Sequence, residues 1–275
     1  MSLPYLIPRL FRRFMPERIV RALLLRNMII QAGLETNDPS AAVQRYADTL
    51  AARGLSFQGK RVLVFGYGGR FDIGVGLLKA GAAHVILCDK YAPPDHPHNL
   101  RQFASEKEFF AVENDRVHPR PERMTLLQAD IRDAQAGGSL ERADIVLSNS
   151  VYEHLDDVEE ITRALAALTK PDGLHIHFVD LRDHFFKYPF EMLRFSERDW
   201  RDWLNPSSNH NRYRLWNYRD AFKDNFQEVE IQILTRADEE FRKLKPRIRP
   251  EFISGDMQED AAATIRVIAS MPIKR

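Results

Sequence analysis

The chain has 275 residues, of which 44% are hydrophobic and 29% charged, and its formal net charge at pH 7 is +1. This length allows one large domain with its own core, and the small charge disfavours a polynucleotide substrate because no global field would hold one. Cys88 is the single cysteine, which excludes an internal disulfide framework and a cysteine-only zinc cluster and fits a reducing cytoplasm.

Residues 1–30 combine apolar side chains with six arginines and one glutamate, hence a net charge of +5. No apolar run in the chain reaches the roughly 18–20 residues that span a bilayer. We favour a terminal helix whose apolar side covers the core or the mouth of the active site. The alternative is a helix that lies on an anionic membrane surface. The expected location is the cytoplasm, with peripheral contact at the inner membrane surface under the alternative.

Apolar runs of strand length alternate with helical stretches after residue 60. The predicted strands are 61–66, 84–88, 124–128, 143–149 and 174–179, and the predicted helices between them are 71–80, 98–113 and 156–169. This alternation predicts βαβ units in an open, doubly wound α/β sheet. Two later strands are predicted at 227–234 and 264–270. We expect an N-terminal helical extension over 1–59 and a main domain over 60–275, with a cap insertion at about 182–220.

The loop after the first strand reads Gly66-Tyr67-Gly68-Gly69-Arg70-Phe71. A dinucleotide fingerprint needs a third glycine where Phe71 stands, which argues against a pyrophosphate and an NAD-dependent oxidoreductase. The N–H groups at the start of the next helix can instead bind a carboxylate, assisted by Arg70. Asp89, at the end of the second strand, can accept the hydroxyls of a ribose. A ligand with a ribose and a carboxylate but no phosphate is S-adenosylmethionine.

Five segments in order resemble class I S-adenosylmethionine-dependent methyltransferases of the small-molecule type. They are "VLVFGYGG", "VILCDKY", "LLQADIRD", "ADIVLSNSVYEHLDD" and "LTKPDGLHIHF". The resemblance covers roughly residues 60–235 and implies a mostly parallel, seven-stranded Rossmann-like sheet whose last strand is antiparallel. It places Asp130 and Ile131 beside the adenine. Val64 stands where the family usually has an acid that helps to hold the methionine amino group, and Arg70 stands at the usual third glycine.

The resemblance gives a set of expected S-adenosylmethionine contacts: Gly66, Tyr67, Gly68, Gly69, Arg70, Asp89, Lys90, Asp130, Ile131, Asn149 and Ser150. Candidate catalytic groups lie on the loops after the fourth and fifth strands, and they are Glu153, His154, Asp180 and His184. A histidine near neutral pH suits a general base, whereas the alternative for each histidine is a structural role in its loop. Tyr152, Asn211 and Arg212 are the candidate acceptor contacts.

The expected activity is methyl transfer to a small molecule, with oxygen favoured as the acceptor atom and a sugar, polyketide-like or lipid-linked acceptor considered. A non-catalytic binding protein on the same fold is the alternative. Aromatic residues of the cap are interpreted either as walls of the acceptor pocket or as core. No metal site is predicted, because His175 and His177 lack a third ligand at motif spacing. A surface zinc site at His96, His98 and His118 is a minor alternative.

Overall fold

The computed structural model describes residues 3–16, 19, 38–138, 140–185, 187–206 and 209–273. Most of the second half of the basic segment 1–30 lies outside these described residues, as does the stretch 31–37. No helix in the described part of the chain is both long and apolar enough to cross a bilayer.

The strands are β1 (Arg61–Phe65), β2 (His84–Cys88), β3 (Phe110–Glu113), β4 (Arg116–Pro119), β5 (Met124–Leu127), β6 (Ala143–Asn149), β7 (Thr169–Asp180), β8 (Phe226–Arg236) and β9 (Ala262–Pro272). Seven of them form one sheet in the order β5-β2-β1-β6-β7-β9-β8. Strands β5, β2, β1, β6 and β7 are parallel, and β9 is antiparallel to both of its neighbours. The expected sheet with an antiparallel last strand is confirmed.

The longer helices are α1 (Leu3–Arg13), α2 (Pro39–Ala51), α3 (Asp72–Lys79), α4 (His96–Phe103), α5 (Ile131–Ala136), α6 (Val158–Ala167), α7 (Leu215–Lys223) and α8 (Asp238–Leu244). Short helical turns lie at Tyr152–His154, Glu191–Arg194, Glu197–Asp199, Trp200–Leu204, Lys245–Arg247, Pro250–Phe252 and Met257–Asp260. Two starts are set by aspartate caps, since Asp38 accepts the N–H of Ala41 and Asp157 accepts the N–H of Glu160.

The predicted helix 98–113 is wrong beyond Phe103. Strands β3 and β4 form an antiparallel hairpin there. Its turn residues Asn114 and Asp115 have φ of +49° and +55°, and asparagine and aspartate tolerate this region better than most residues. The hairpin buries Phe110 and Val117, so residues 110–113 form a strand where the sequence pattern suggested the end of a helix.

Helix α1 docks on the segment that follows β7. Tyr5 and Arg9 are fully buried there and both bind the carboxylate of buried Asp183, the tyrosine hydroxyl at 2.5 Å and the guanidinium as an ion pair. The Tyr5 ring also packs on Phe195 with ring centroids 5.9 Å apart. The helix therefore packs on the segment after β7 through a tyrosine and an arginine, whereas the expectation was that its apolar side covers the core or the mouth of the active site.

Candidate active site

The glycine loop follows β1 at the carboxyl edge of the parallel strands. Gly66, Gly68 and Gly69 have φ of +83°, +73° and +87°, a region that other residues rarely occupy. A Cβ at Gly66 would lie 2.3 Å from Cγ2 of Val151, and one at Gly69 would lie 2.5 Å from the carbonyl oxygen of Pro93. Close packing of the loop against its own chain thus requires these two glycines, whether or not a ligand approaches.

Helix α4 fastens the glycine loop through Asn99, a buried residue that sequence reasoning missed. Asn99 donates to the carbonyl of Gly69 at 3.0 Å, and its Oδ1 accepts the N–H of Phe71 at 3.1 Å. One amide expected to serve the methionine carboxylate is therefore already bonded. Tyr67 is also buried and packs near Phe71, with ring centroids 6.4 Å apart, so its ring belongs to the core.

The charged residues around the glycine loop are engaged with the segment that carries α4. Nε of Arg70 lies 3.4 Å from the carboxylate of Asp95. Asp72, the first residue of α3, accepts from Nε2 of His98 at 2.8 Å. Val64 itself is fully buried in β1. Arg70 can thus bind a cofactor carboxylate only in competition with Asp95.

Asp89 lies directly after β2, beside the glycine loop. Its carboxylate accepts the N–H groups of Gly68 at 3.1 Å, Tyr91 at 2.9 Å and Ala92 at 2.8 Å. A carboxylate offers about four acceptor positions, so about one remains for a ribose hydroxyl. The backbone holds this acid in one orientation at the place predicted from the sequence.

Asp130 caps α5 and is the centre of a charged group at the next strand end. It binds Arg132 through Nε at 2.9 Å and Nη2 at 2.6 Å, and Nζ of Lys90 at 3.0 Å. These bonds, those of Arg132 first, hold the pKa of Asp130 well below its usual value. Ile131 is buried in the adjoining core. Asp130, Ile131 and Lys90 therefore share one corner of the carboxyl edge, and their binding of the cofactor stays a prediction.

Helix α2 supplies a cation that the sequence analysis missed. The guanidinium of Arg45 lies over the ring of Phe178, 3.4 Å from its centroid, and Nη1 is 3.5 Å from Oδ1 of Asn149. Burial lowers the pKa of Arg45. Ser150, next to Asn149, has a φ of +54°. Arg45 belongs to a helix that precedes β1, so only tertiary packing brings it to the end of β6.

Three predicted catalytic residues converge after β6 and β7. Glu153, His154 and His184 each offer a ligand atom, and these atoms all lie within 4.8 Å of one another. Nε2 of His184 is 4.0 Å from Oε1 of Glu153, and the two histidine rings have centroids 4.8 Å apart. We call Glu153, His154 and His184 the acid–histidine cluster. The parallel order of β6 and β7 explains the meeting, because the carboxyl ends of parallel neighbours share one edge.

The surroundings of the acid–histidine cluster are polar but buried. Nδ1 of His154 donates to the carbonyl of Asn209 at 2.8 Å. His210, a further residue missed from the sequence, has its ring centroid 5.0 Å from that of His184 and donates Nε2–H to the carbonyl of Arg182 at 2.9 Å. Burial, followed by the charge of Asp180, raises the pKa of Glu153 well above its usual value. Burial, followed by the nearby His154, lowers the pKa of His210.

Asp180, the fourth catalytic candidate, is engaged by a cation. At the end of β7 its two oxygens accept from Nε of Arg182 at 2.9 Å and from Nη2 at 2.7 Å, and Oδ1 also accepts the Arg182 N–H at 2.9 Å. Hydrogen bonds to a cation favour the charged carboxylate. Asp180 acts in this structure as the ion-pair partner of Arg182.

The three predicted acceptor contacts are structural residues. Tyr152 is fully buried, with its ring 4.7 Å from that of His177. Asn211 donates Nδ2–H to the carbonyl of Tyr152 at 2.7 Å and accepts the hydroxyl of Tyr218 at 3.2 Å. The buried guanidinium of Arg212 donates to the carbonyl of Phe195 at 2.8 Å. Most of their polar groups are engaged within the fold, and their binding of the acceptor stays a prediction.

The aromatic residues of the cap are mostly core. They share one buried cluster with Tyr5, and its cap members include Phe190, Leu193, Phe195 and Trp200. Trp203 differs, because 57% of it is exposed. Of the two interpretations of the cap aromatics, core packing holds for the buried Phe190, Phe195 and Trp200.

His175 and His177 lie inside the sheet, as their packing interpretation predicts. Ser148 Oγ lies 2.7 Å from Nδ1 of His177, Nε2 of His177 is 3.0 Å from Nδ1 of His175, and Nε2 of His175 is 2.7 Å from Oγ1 of Thr169. Burial lowers the pKa of His175 to about 3. Both rings are therefore neutral links in a buried hydrogen-bonded chain.

Structural comparison finds related folds at low sequence identity. Phosphoethanolamine N-methyltransferase 2 of Haemonchus contortus, in complex with phosphomonomethylethanolamine and S-adenosylhomocysteine, is 15% identical with a TM-score of 0.51, over 83% of this chain and 53% of that one. A putative S-adenosylmethionine-dependent methyltransferase of Listeria monocytogenes is 14% identical with a TM-score of 0.44, over 86% and 100%. One from Mesorhizobium loti is 16% identical with a TM-score of 0.44, over 81% and 95%.

No curated protein sequence matches the chain significantly. A family model described as a methyltransferase domain matches residues 37–234, which is well over half of the chain. The match spans the glycine loop, Asp89, Asp130 and the acid–histidine cluster. The chain belongs to this methyltransferase family and, as expected from its motifs, is an S-adenosylmethionine-dependent methyltransferase.

Proposed function

We propose that the enzyme methylates an oxygen atom of a small-molecule acceptor at the carboxyl edge of the sheet, between the glycine loop and the acid–histidine cluster. The convergence of Glu153, His154 and His184 within 4.8 Å carries this proposal. A hydroxyl acceptor must lose a proton during methyl transfer, whereas a neutral amine can attack before it loses one. A cluster that can remove a proton therefore favours oxygen.

The reaction balances with groups of this chain and the cofactor. A lone pair of the acceptor oxygen attacks the methyl carbon, the new C–O bond forms, and the C–S bond breaks with its electrons moving to sulfur. The hydroxyl proton passes to the acid–histidine cluster and then to water. Alignment of the two reactants can contribute about 7–11 kcal/mol, and removal of the proton typically contributes about 10²- to 10⁴-fold in rate.

We propose the following placement of S-adenosylmethionine. The ribose binds the remaining acceptor position of Asp89, the adenine lies at Asp130 and Ile131, and the methionine end lies at the glycine loop. Arg45 supports this placement, because its guanidinium at the end of β6 is a cation within reach of Asn149 and suits a carboxylate.

Replacing Asp89 with alanine should weaken S-adenosylmethionine binding by more than tenfold, because the ribose loses its charged acceptor. The measurement is isothermal titration with S-adenosylmethionine and with S-adenosylhomocysteine. Asp144→Ala is the matched control, since Asp144 binds the Arg61 N–H and Lys170 near the opposite ends of the strands; its affinity should stay within about twofold. Equal affinity of the Asp89 variant and the wild type would place the ribose elsewhere.

The choice of oxygen is tested by transfer of a radioactive methyl group to paired acceptors. Each pair has one skeleton that carries either a hydroxyl or an amine, and the skeletons are a sugar, a phenolic polyketide and a lipid-linked sugar. Label in the hydroxyl members supports the proposal. Label confined to the amines contradicts it, and binding of the cofactor without transfer to any member would favour the non-catalytic alternative.

We further propose that α1 contacts an anionic membrane surface. Its outward face carries the exposed apolar side chains of Leu3, Ile7, Leu10 and Phe11, and the exposed Phe14 directly follows the helix. Phe11 is 72% exposed and Phe14 is 67% exposed. Residues 1–30, which include α1, have a net charge of +5, and basic charge with exposed apolar side chains suits an interface with anionic lipid. This contact fits a lipid-linked acceptor.

The double variant Phe11→Ser and Phe14→Ser should lose most of its flotation with vesicles that contain phosphatidylserine. Both substitutions leave the buried Tyr5 and Arg9 in place, so α1 stays docked. Leu55→Ser, at a leucine that is exposed elsewhere on the surface, is the matched control and should float like the wild type. Equal flotation of all three proteins, or flotation of none, would end the membrane proposal.

A further inference from the structure

We infer that Glu153, His154 and His184 bind a divalent transition-metal ion of the zinc type. Two imidazole nitrogens and one carboxylate oxygen are a ligand set that zinc sites use. Among the described residues, these are the three side chains with ligand atoms grouped closely enough to hold one ion.

The carboxylate of Glu153 gives the strongest reason for a cation. The residue is 1% exposed, and neither of its oxygens has a hydrogen-bond partner among the described residues. A buried carboxylate without hydrogen bonds is costly unless a proton or a cation neutralises it. The nearby cation Arg182 is ion-paired with Asp180, so this arginine is engaged by a different acid. A metal ion held by the two histidines would neutralise Glu153 where it stands.

His154 is oriented as a metal ligand usually is. The carbonyl of Asn209 only accepts, so His154 carries its proton on Nδ1 and has the lone pair on Nε2. Metal-bound histidines typically donate their other N–H to a carbonyl or carboxylate in this way. Asn209 is itself fixed, since its side chain donates to the carbonyls of His154 and Leu155 at 3.0 Å each. A loop from the cap thus sets the tautomer of a cluster residue.

The ligand atoms of the acid–histidine cluster lie slightly farther apart than they would around a bound ion. Two ligands at about 2.05 Å from one tetrahedral ion are about 3.3 Å apart, whereas Nε2 of His184 and Oε1 of Glu153 are 4.0 Å apart. Rotation of the side chains can close this gap. His210 stands next to His184 with its ring 5.0 Å away, but it is not one of the three grouped ligands. Imidazole ligands favour zinc or cobalt over magnesium.

The role of the metal rests on the proposed function. Three protein ligands leave an open position on a tetrahedral ion, and an acceptor hydroxyl bound there becomes more acidic. With the metal bound, the histidines would serve as ligands, so the hydroxyl proton would pass directly to water instead of by way of the acid–histidine cluster. The ion would also hold the acceptor oxygen in place. Metal binding itself can be measured without any acceptor.

The test uses cobalt(II), which reports a tetrahedral site by visible absorption. We expect the chelator-treated, full-length protein to bind about one equivalent of cobalt, zinc to displace it, and magnesium to leave the band unchanged. His184→Ala should weaken cobalt binding by about 100-fold or more. Glu153→Gln should also weaken it and serves as the second variant if the first does not fold. His118→Ala, at an exposed histidine of β4, should retain the wild-type band.

Titration with S-adenosylmethionine runs beside the cobalt experiment and separates the two proposals. A variant that binds this cofactor is folded, so its loss of cobalt binding supports the metal site. Absence of a cobalt band in wild-type protein that binds the cofactor overturns the metal site and leaves the methyltransferase intact. A band that His184→Ala and Glu153→Gln leave unchanged, or that His118→Ala removes, overturns it as well. Cobalt binding without cofactor binding would contradict the proposed cofactor site alone.

Discussion

Asp183→Ala should weaken the docking of α1 by about 3–5 kcal/mol, which is about a hundred- to several-thousand-fold in the docking equilibrium. The substitution leaves the Arg9 cation buried without its partner and removes the acceptor of the Tyr5 hydroxyl. Because α1 can detach while the sheet stays folded, the effect should appear locally. The measurement is the rate of trypsin cleavage after Arg9 and Arg13, together with hydrogen exchange of α1.

The control for this experiment is Asp172→Ala, at an exposed acid in β7. Its cleavage rate should match the wild type, because exposed substitutions away from specific contacts usually change stability by less than about 0.5 kcal/mol. Asp183→Asn keeps the side-chain shape but removes the charge, so its cleavage rate should fall between those of the wild type and Asp183→Ala. Wild-type protection of α1 in both Asp183 variants would show that the buried contacts of Tyr5 and Arg9 with Asp183 do not hold this helix.

Gly66→Ala should lower the free energy of unfolding by about 2–5 kcal/mol. The left-handed conformation costs alanine about 1–2 kcal/mol, and the added Cβ would lie 2.3 Å from Val151 Cγ2, an overpacking that typically costs about 1–3 kcal/mol. Urea unfolding measures the loss. Cofactor affinity should fall with it, because the loop between β1 and α3 has to shift.

The double variant Gly66→Ala and Val151→Ala separates the two causes. Removing the valine methyl groups relieves the contact but not the backbone strain. Gly66→Ala should therefore lower the free energy of unfolding less when it is added to Val151→Ala than when it is added to the wild type. Full recovery would mean that the conformation of Gly66 is harmless to alanine. No recovery would mean that Val151 yields and that strain accounts for the whole effect. A single variant as stable as the wild type would refute both causes.

Much of the sheet was predictable because its strands are buried on both faces. The runs in β1, β2 and β6 are nearly continuous in valine, isoleucine and leucine, and such runs have few other stable uses in a chain of this kind. The β3–β4 hairpin was not predicted. The dipeptide Asn114-Asp115 could have indicated it, because these residue types favour a two-residue hairpin turn.

The candidate site was also predictable only in part. Glycines and acids at strand ends are local signals, so the positions of Gly66, Asp89 and Asp130 followed from the sequence. The hydrogen bonds of Tyr152 and Arg212 did not follow from the sequence, because their partners lie on distant segments. The roles of Asn99 and Arg45 could not be predicted for a related reason, since each side chain contacts a segment at least 28 residues away along the chain.

The sequence by itself determined the order of strands and helices, the methyltransferase motifs and the edge of the sheet at which they meet, because periodicity and strand-end residues are local properties. Only the tertiary structure decided which polar side chains are left to do chemistry. Burial and hydrogen bonding depend on all neighbours at once: they assign Arg212 and Asn211 to the fold and leave the Glu153 carboxylate buried without a hydrogen-bond partner among the described residues.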